Sequence, residues 1–146
     1  MGKIFQTPFV QLTITAAGIY ASGDALGAKS SFPDVGNKGK IVGATVVDAD
    51  PESANFEIIL FRSDIAGTAD NAAFAPTDAE LQTYVGGVLI DTWKSFSSNA
   101  VGSTPPTFEY VPYWSPGGIF YFQCVTRATP TYTATTDILV SISVEN

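Results

Sequence analysis

Along most of this chain apolar side chains return at every second position in short runs, and the runs are separated by Gly, Pro, Asn and Asp. Only a pleated strand sends alternate side chains to one face, so this period commits the chain to sheets that bury one side. In residues 9–16, Val10, Leu12 and Ile14 alternate with Gln11, Thr13 and Thr15. In residues 137–145, Ile138, Val140, Ile142 and Val144 alternate with Leu139, Ser141 and Ser143. Further strands are expected over residues 25–32, 40–48, 56–62, 84–92 and 119–126, the last being the most apolar. Residues 108–113 read as an edge strand, because Pro112 has no N–H to give to a ladder.

The connections carry their own signals. Gly43 inside the 40–48 run suggests a bulge or a close backbone approach. The turn Asp50-Pro51-Glu52-Ser53 makes residues 40–48 and 56–62 a candidate hairpin. Residues 64–76 and 95–106 are too rich in small and polar side chains for buried strands and read as long loops, the second of them mobile. One short helix is expected near residues 77–84, where Thr77 and Glu80 fit a capping box.

About eight strands, one short helix and 146 residues fit a single all-β domain, because stacking two half-apolar sheets buries every alternate face. The expected fold is a two-sheet antiparallel sandwich over residues 9–146, with a jelly roll placed first and an immunoglobulin-like sandwich second. The latter more often shows a Cys…Trp…Cys core, and this chain has one cysteine. Residues 1–8 read as an N-terminal arm. There Ile4 and Phe5 are apolar and would bury against a neighbour or pair with a strand edge, the alternative being a frayed tail.

Composition narrows the chemistry. The chain has 14 acidic and 7 basic side chains, a net charge of −7, and its cations are scattered, with only Lys38 and Lys40 close together. Nucleic acid, which needs clustered Lys and Arg, is not an expected partner. No apolar stretch approaches the roughly 20 residues that cross a bilayer, and residues 1–8 have no apolar leader core, so a soluble chain with no membrane partner is expected. Histidine is absent. That removes the commonest general base and the commonest transition-metal ligand, and no phosphate-binding glycine loop replaces them. No catalytic site and no cofactor are expected, and a glycosidase carboxylate pair has no sequence signature to support it. Cys124, within the most apolar run, reads as a buried thiol.

Two groups remain as candidate sites. Asp48, Asp50 and Glu52 alternate around Pro51 and offer oxygens to a hard cation such as Ca²⁺, although the competing reading is a solvated acidic turn. Asp64, Asp70 and Asp78 are a weaker version of the same arrangement. Tyr110, Tyr113 and Trp114 cluster beside the turn Pro116-Gly117-Gly118, and Tyr113 and Trp114 are candidate partner-binding residues, against a core or sheet-edge role.

Three stretches carry a family resemblance. They are residues 15–27 (TAAGIYASGDALG), the paired runs 39–48 (GKIVGATVVD) and 56–61 (FEIILF), and residues 70–80 (DNAAFAPTDAE). In order and spacing they resemble the small tailed-phage virion proteins that decorate or cement the capsid, and they cover most of the first 90 residues. The C-terminal half is similar only in strand pattern. The resemblance implies a jelly-roll or β-sandwich structural protein on the capsid exterior, assembled in the host cytoplasm. It implies the major capsid protein as partner and a homotrimer at a three-fold position, with no catalytic residues. The alternative is a carbohydrate- or receptor-binding β-sandwich module of a virion, using Tyr113 and Trp114.

Overall fold

The computed structural model describes residues 2–146. The chain forms β1 (Ile4–Gln6), β2 (Val10–Gln11), β3 (Ala25–Phe32), β4 (Lys38–Asp48), β5 (Phe56–Phe61), α1 (Asp78–Leu81), β6 (Tyr84–Ile90), β7 (Thr92–Ser95), β8 (Ala100–Ser103), β9 (Val111–Trp114), β10 (Phe120–Thr126) and β11 (Ile138–Glu145). One sheet has seven strands in the order β1-β11-β4-β8-β7, with β2 also on β11 and β9 also on β4, and the other has the order β3-β10-β5-β6. Every ladder is antiparallel. The pairings β2 with β11, β3 with β10, β4 with β8 and β5 with β6 nest one inside the next.

The alternating faces meet between the sheets. Ile41, Val46, Val140, Ile142 and Val144 from the larger sheet pack with Leu26, Phe32, Ile58, Leu60, Phe122 and Cys124 from the smaller in one cluster. At its centre the rings of Phe32 and Phe122 stack at 4.2 Å. Cys124 is fully buried, as its position in the apolar run implied, and burial pushes its thiol well above the ordinary range.

The outer face of the smaller sheet is covered as well. Ile59, Phe61 and Val125 pack there against Ile65, with Phe74 and Tyr121 alongside, so the connection over residues 62–77 is a lid made of this chain. Fully buried Gln123 holds that lid: its Oε1 accepts from the Thr68 amide, and its Nε2 donates to the carbonyls of Gly27 and Thr68. The capping box is present at α1. Thr77 Oγ1 accepts from the Glu80 amide at 3.1 Å, and Glu80 Oε2 accepts from the Thr77 amide at 3.0 Å. The second Glu80 oxygen takes the Ala66 amide and ties the helix to the lid.

Several expectations change. The runs 40–48 and 56–62 do not form a hairpin: β4 pairs with β11 and β8, while β5 pairs with β10 and β6 in the other sheet. The turn between them crosses the sandwich because the Asp48 side chain, buried at the end of β4, accepts from the amides of Asp50 and Ser53. Residues 9–16 form a ladder only at Val10 and Gln11. Beyond them the chain runs past the start of β11, and Leu12 and Ile14 stay buried by donating their amides to the carbonyls of Ile138 and Thr135. The bulge at Gly43 is present, since the β4–β11 register shifts between Ser143 and Val144.

The segment expected as a mobile loop over residues 95–106 contains β8, which pairs with both β7 and β4. Its inward positions are Ala100 and Gly102, and the Trp93 ring lies over Gly102. A Cβ on Gly102 would stand 2.7 Å from that ring and 2.8 Å from Ile90. Gly102→Val is therefore expected to destabilise the fold by about 1–3 kcal/mol, the usual range for an overpacked core, read as a lower urea midpoint at unchanged slope.

Residues 4–6 of the segment expected as an arm are β1, paired with β11 of the same chain. Alternation sends Phe5 inward against the core and Ile4 outward, 65% exposed. Met1, also assigned to the arm, lies outside the described residues. Among the described residues no helix is long and apolar enough to cross a membrane.

Candidate functional site

The carboxylates singled out at the 48–52 turn are structural fasteners. Asp50 Oδ2 accepts from the Thr133 amide and Glu52 Oε1 from the Thr131 amide, each at 3.0 Å. Asp137 accepts from the Ala134 amide and the Thr133 hydroxyl. Together they clamp residues 131–134 over the core, where Tyr132 is buried against Tyr20 with its hydroxyl unpartnered. Asp48 faces inward from β4, and its carboxyl is pushed up to about 6, first by burial and further by the charges of Asp50 and Asp137. The amides of Ser53 and Asp50 oppose that rise. Among the described residues no group of three or more His, Cys, Asp or Glu side chains is arranged to hold a metal ion. Backbone amides occupy oxygens of Asp48, Asp50 and Glu52.

The second acidic set separates too. Asp64 pairs with Lys29 at 2.9 Å, an interaction that lowers its carboxyl, and Asp78 opens α1. Asp70 is a hub: it accepts from the Thr15 hydroxyl at 2.6 Å, the Tyr20 hydroxyl at 2.7 Å and the Gly27 amide at 2.7 Å. It joins the chain before β3, β3 itself and the lid. Its partners lie 43 to 55 residues away in sequence, so nothing local marked it.

The aromatic cluster divides across the sheet. Tyr113 points inward, 7% exposed, stacks edge-on against Phe120 and donates its hydroxyl to the Val35 carbonyl. It is a core residue, and only its edge reaches the surface, in the depression beside Lys38 and Lys40. Alternation places its neighbours outward: Tyr110 is 56% and Trp114 61% exposed. Trp114 lies opposite Lys38 and Pro112 opposite Lys40 on the β9–β4 ladder. The Lys40 ammonium stands over the Tyr110 ring, 4.5 Å from its centroid. Beside them is an open depression of about 410 Å³ lined by Gly2, Lys38, Lys40, Pro112, Glu145 and Asn146, among others.

Ile4 and Glu145 occupy the same outer row as Lys40 and Pro112. Of the proposed partner-binding residues, Ile4 and Trp114 thus share one exposed face, while Phe5 and Tyr113 serve the core. The roles of Tyr110, Lys38 and Lys40 were not assigned from sequence. The signal lay in the two-residue period running Tyr110, Pro112, Trp114. The chain matches no family model, no curated protein sequence and no solved structure.

Proposed function

We propose that this chain is a structural virion protein that binds the major capsid protein on the outside of a tailed-phage shell and stabilises it, acting as a homotrimer and not as an enzyme. The observation that carries this reading is the outer face of the seven-stranded sheet, where Thr7 covers Ser141 but Thr45, Val47, Ser103 and Leu139 are half-exposed. The smaller sheet is sealed by residues 62–77, whereas the larger one presents a patch of small, neutral side chains between Lys94 at one end and Lys40 with Glu145 at the other. Its cross-strand rows are Ser141, Thr45, Ser103 and Thr92, and Leu139, Val47, Val101 and Lys94. A patch with charges only at its ends suits close packing against copies and a shell, because little ionic desolvation opposes contact at its middle. The nested strand pairing supports a jelly roll, an architecture frequent in capsid and lectin domains. That link is an analogy of fold.

Thr45→Arg with Val101→Glu keeps the sheet's inward residues intact and is expected to abolish co-sedimentation with purified empty capsids without lowering the melting temperature. Binding by the unaltered protein is expected to change little from low to high salt, since neutral surfaces are not screened. A protein that stays monomeric in ultracentrifugation and never sediments with capsids would overturn the proposal. The alternative, a glycan-binding module of a virion, is favoured by a different surface.

A further inference from the structure

Pro112 and Trp114 on the outer side of β9, with Tyr110 just before it, form an exposed ridge about 13 Å long at ordinary strand rise. Lys38 and Lys40 flank it from β4. Among the described residues neither lysine has a carboxylate within salt-bridge distance, the two ion pairs being Lys29 with Asp64 and Arg127 with Glu57. Lys40 instead stands over Tyr110, so a cation and two exposed aromatic faces share one strip. The depression beside them, at about 410 Å³, falls in the range of small-ligand sites, roughly 300–1,000 Å³. A protein partner would need roughly 800 Å² on each side, far more than one strand ridge offers.

We infer that this strip binds a short acidic saccharide bearing a carboxylate. Trp114 and Tyr110 stack on the apolar faces of the sugar rings, as amphipathic aromatics do. Lys38 and Lys40 meet the carboxylate. Glu145 and Asn146, which line the same depression, accept from and donate to ring hydroxyls. Two lysines are too few for a nucleic-acid strand, whose binding needs Lys and Arg clustered along successive phosphates. This inference stands apart from the capsid reading and survives its failure.

The test is a titration of the ¹⁵N-labelled protein with trigalacturonate, maltotriose and a short oligothymidylate. The chain has two tryptophans, and Trp114→Phe assigns their indole N–H signals. Trigalacturonate is expected to shift the Trp114 indole saturably and leave Trp93 in place. Trp114→Ala should weaken binding about tenfold, the scale of one lost stacking contact. Lys38→Gln with Lys40→Gln should remove the preference over maltotriose. All these side chains are exposed, so the variants should keep the dispersed spectrum of the folded chain. Absence of a saturable shift, equal affinity for maltotriose, preference for the oligothymidylate, or binding unchanged by Trp114→Ala would each overturn the inference.

Discussion

Asp70→Ala is expected to remove about 3–5 kcal/mol of folding stability, although Asp70 lies in a connection and outside the main cluster. Each hydrogen bond to a carboxylate contributes roughly 1.5–3 kcal/mol, and Asp70 accepts three. The contributions are not additive, but truncation leaves the phenol of Tyr20, a fully buried residue, without its acceptor, which sets the upper part of the range. The Tyr20 phenol already titrates far above its ordinary value, first through burial and then through its bond to Asp70. Urea unfolding of Asp70→Ala, Tyr20→Phe and the double variant checks the assignment. The double variant should cost clearly less than the two single changes together, because Tyr20→Phe removes the group that Asp70→Ala orphans. A loss below about 1 kcal/mol for Asp70→Ala would show that the hub is incidental. A hub of this kind also ties residues 15–27 to residues 70–80: Asp70 bonds Thr15, Tyr20 and Gly27. Those stretches specify how the lid docks, a structural constraint that requires no ligand.

The sheets were legible wherever the determining interaction is local. The alternation of Ile138, Val140, Ile142 and Val144 places all four side chains in the core, and Thr77 with Glu80 fixed α1 within a single turn. Legibility failed where a distant group decides. The small residues of β8 resemble a loop until Trp93 is laid over Gly102. The β4–β5 connection resembles a hairpin until the buried Asp48 turns it across the sandwich. At the candidate site, sequence identified the aromatic cluster but not its sidedness. Tyr113 faces inward because it shares the β9–β4 ladder with Gly39, whose lack of a side chain leaves room beside it: a Cβ there would stand 3.1 Å from the Tyr113 hydroxyl. The same register that buries Tyr113 exposes Trp114, while Tyr110, just before β9, is exposed beneath Lys40.

Acid should stabilise this protein through Asp48. Burial pushes its carboxyl up to about 6 in the folded chain, from 3.8 for an unperturbed aspartate, so between these values the folded state holds a proton that the unfolded state has released. Stability therefore falls as pH rises from about 4 to above 6, and a shift of about two units corresponds to about 3 kcal/mol. Asp64 works in the opposite sense, since Lys29 lowers its carboxyl, but that pair is exposed and contributes little. The decisive measurement is therefore a difference: urea unfolding at mildly acidic and mildly alkaline pH for the unaltered chain and for Asp48→Asn. The amide cannot ionise, so the gap between the two pH values should shrink by about 2–3 kcal/mol. Asp48→Asn should be the less stable chain in acid, where its amino group faces one of the two backbone N–H donors, and should recover relative to the parent as pH rises. Equal pH slopes in the two proteins would refute the assignment. The cost of a buried charge at neutral pH is the counterpart of what Asp48 does in the fold: two amides on one side chain bend the chain from the larger sheet into the smaller. In doing so they place Asp50 and Glu52 where they can clamp residues 131–134 over the core.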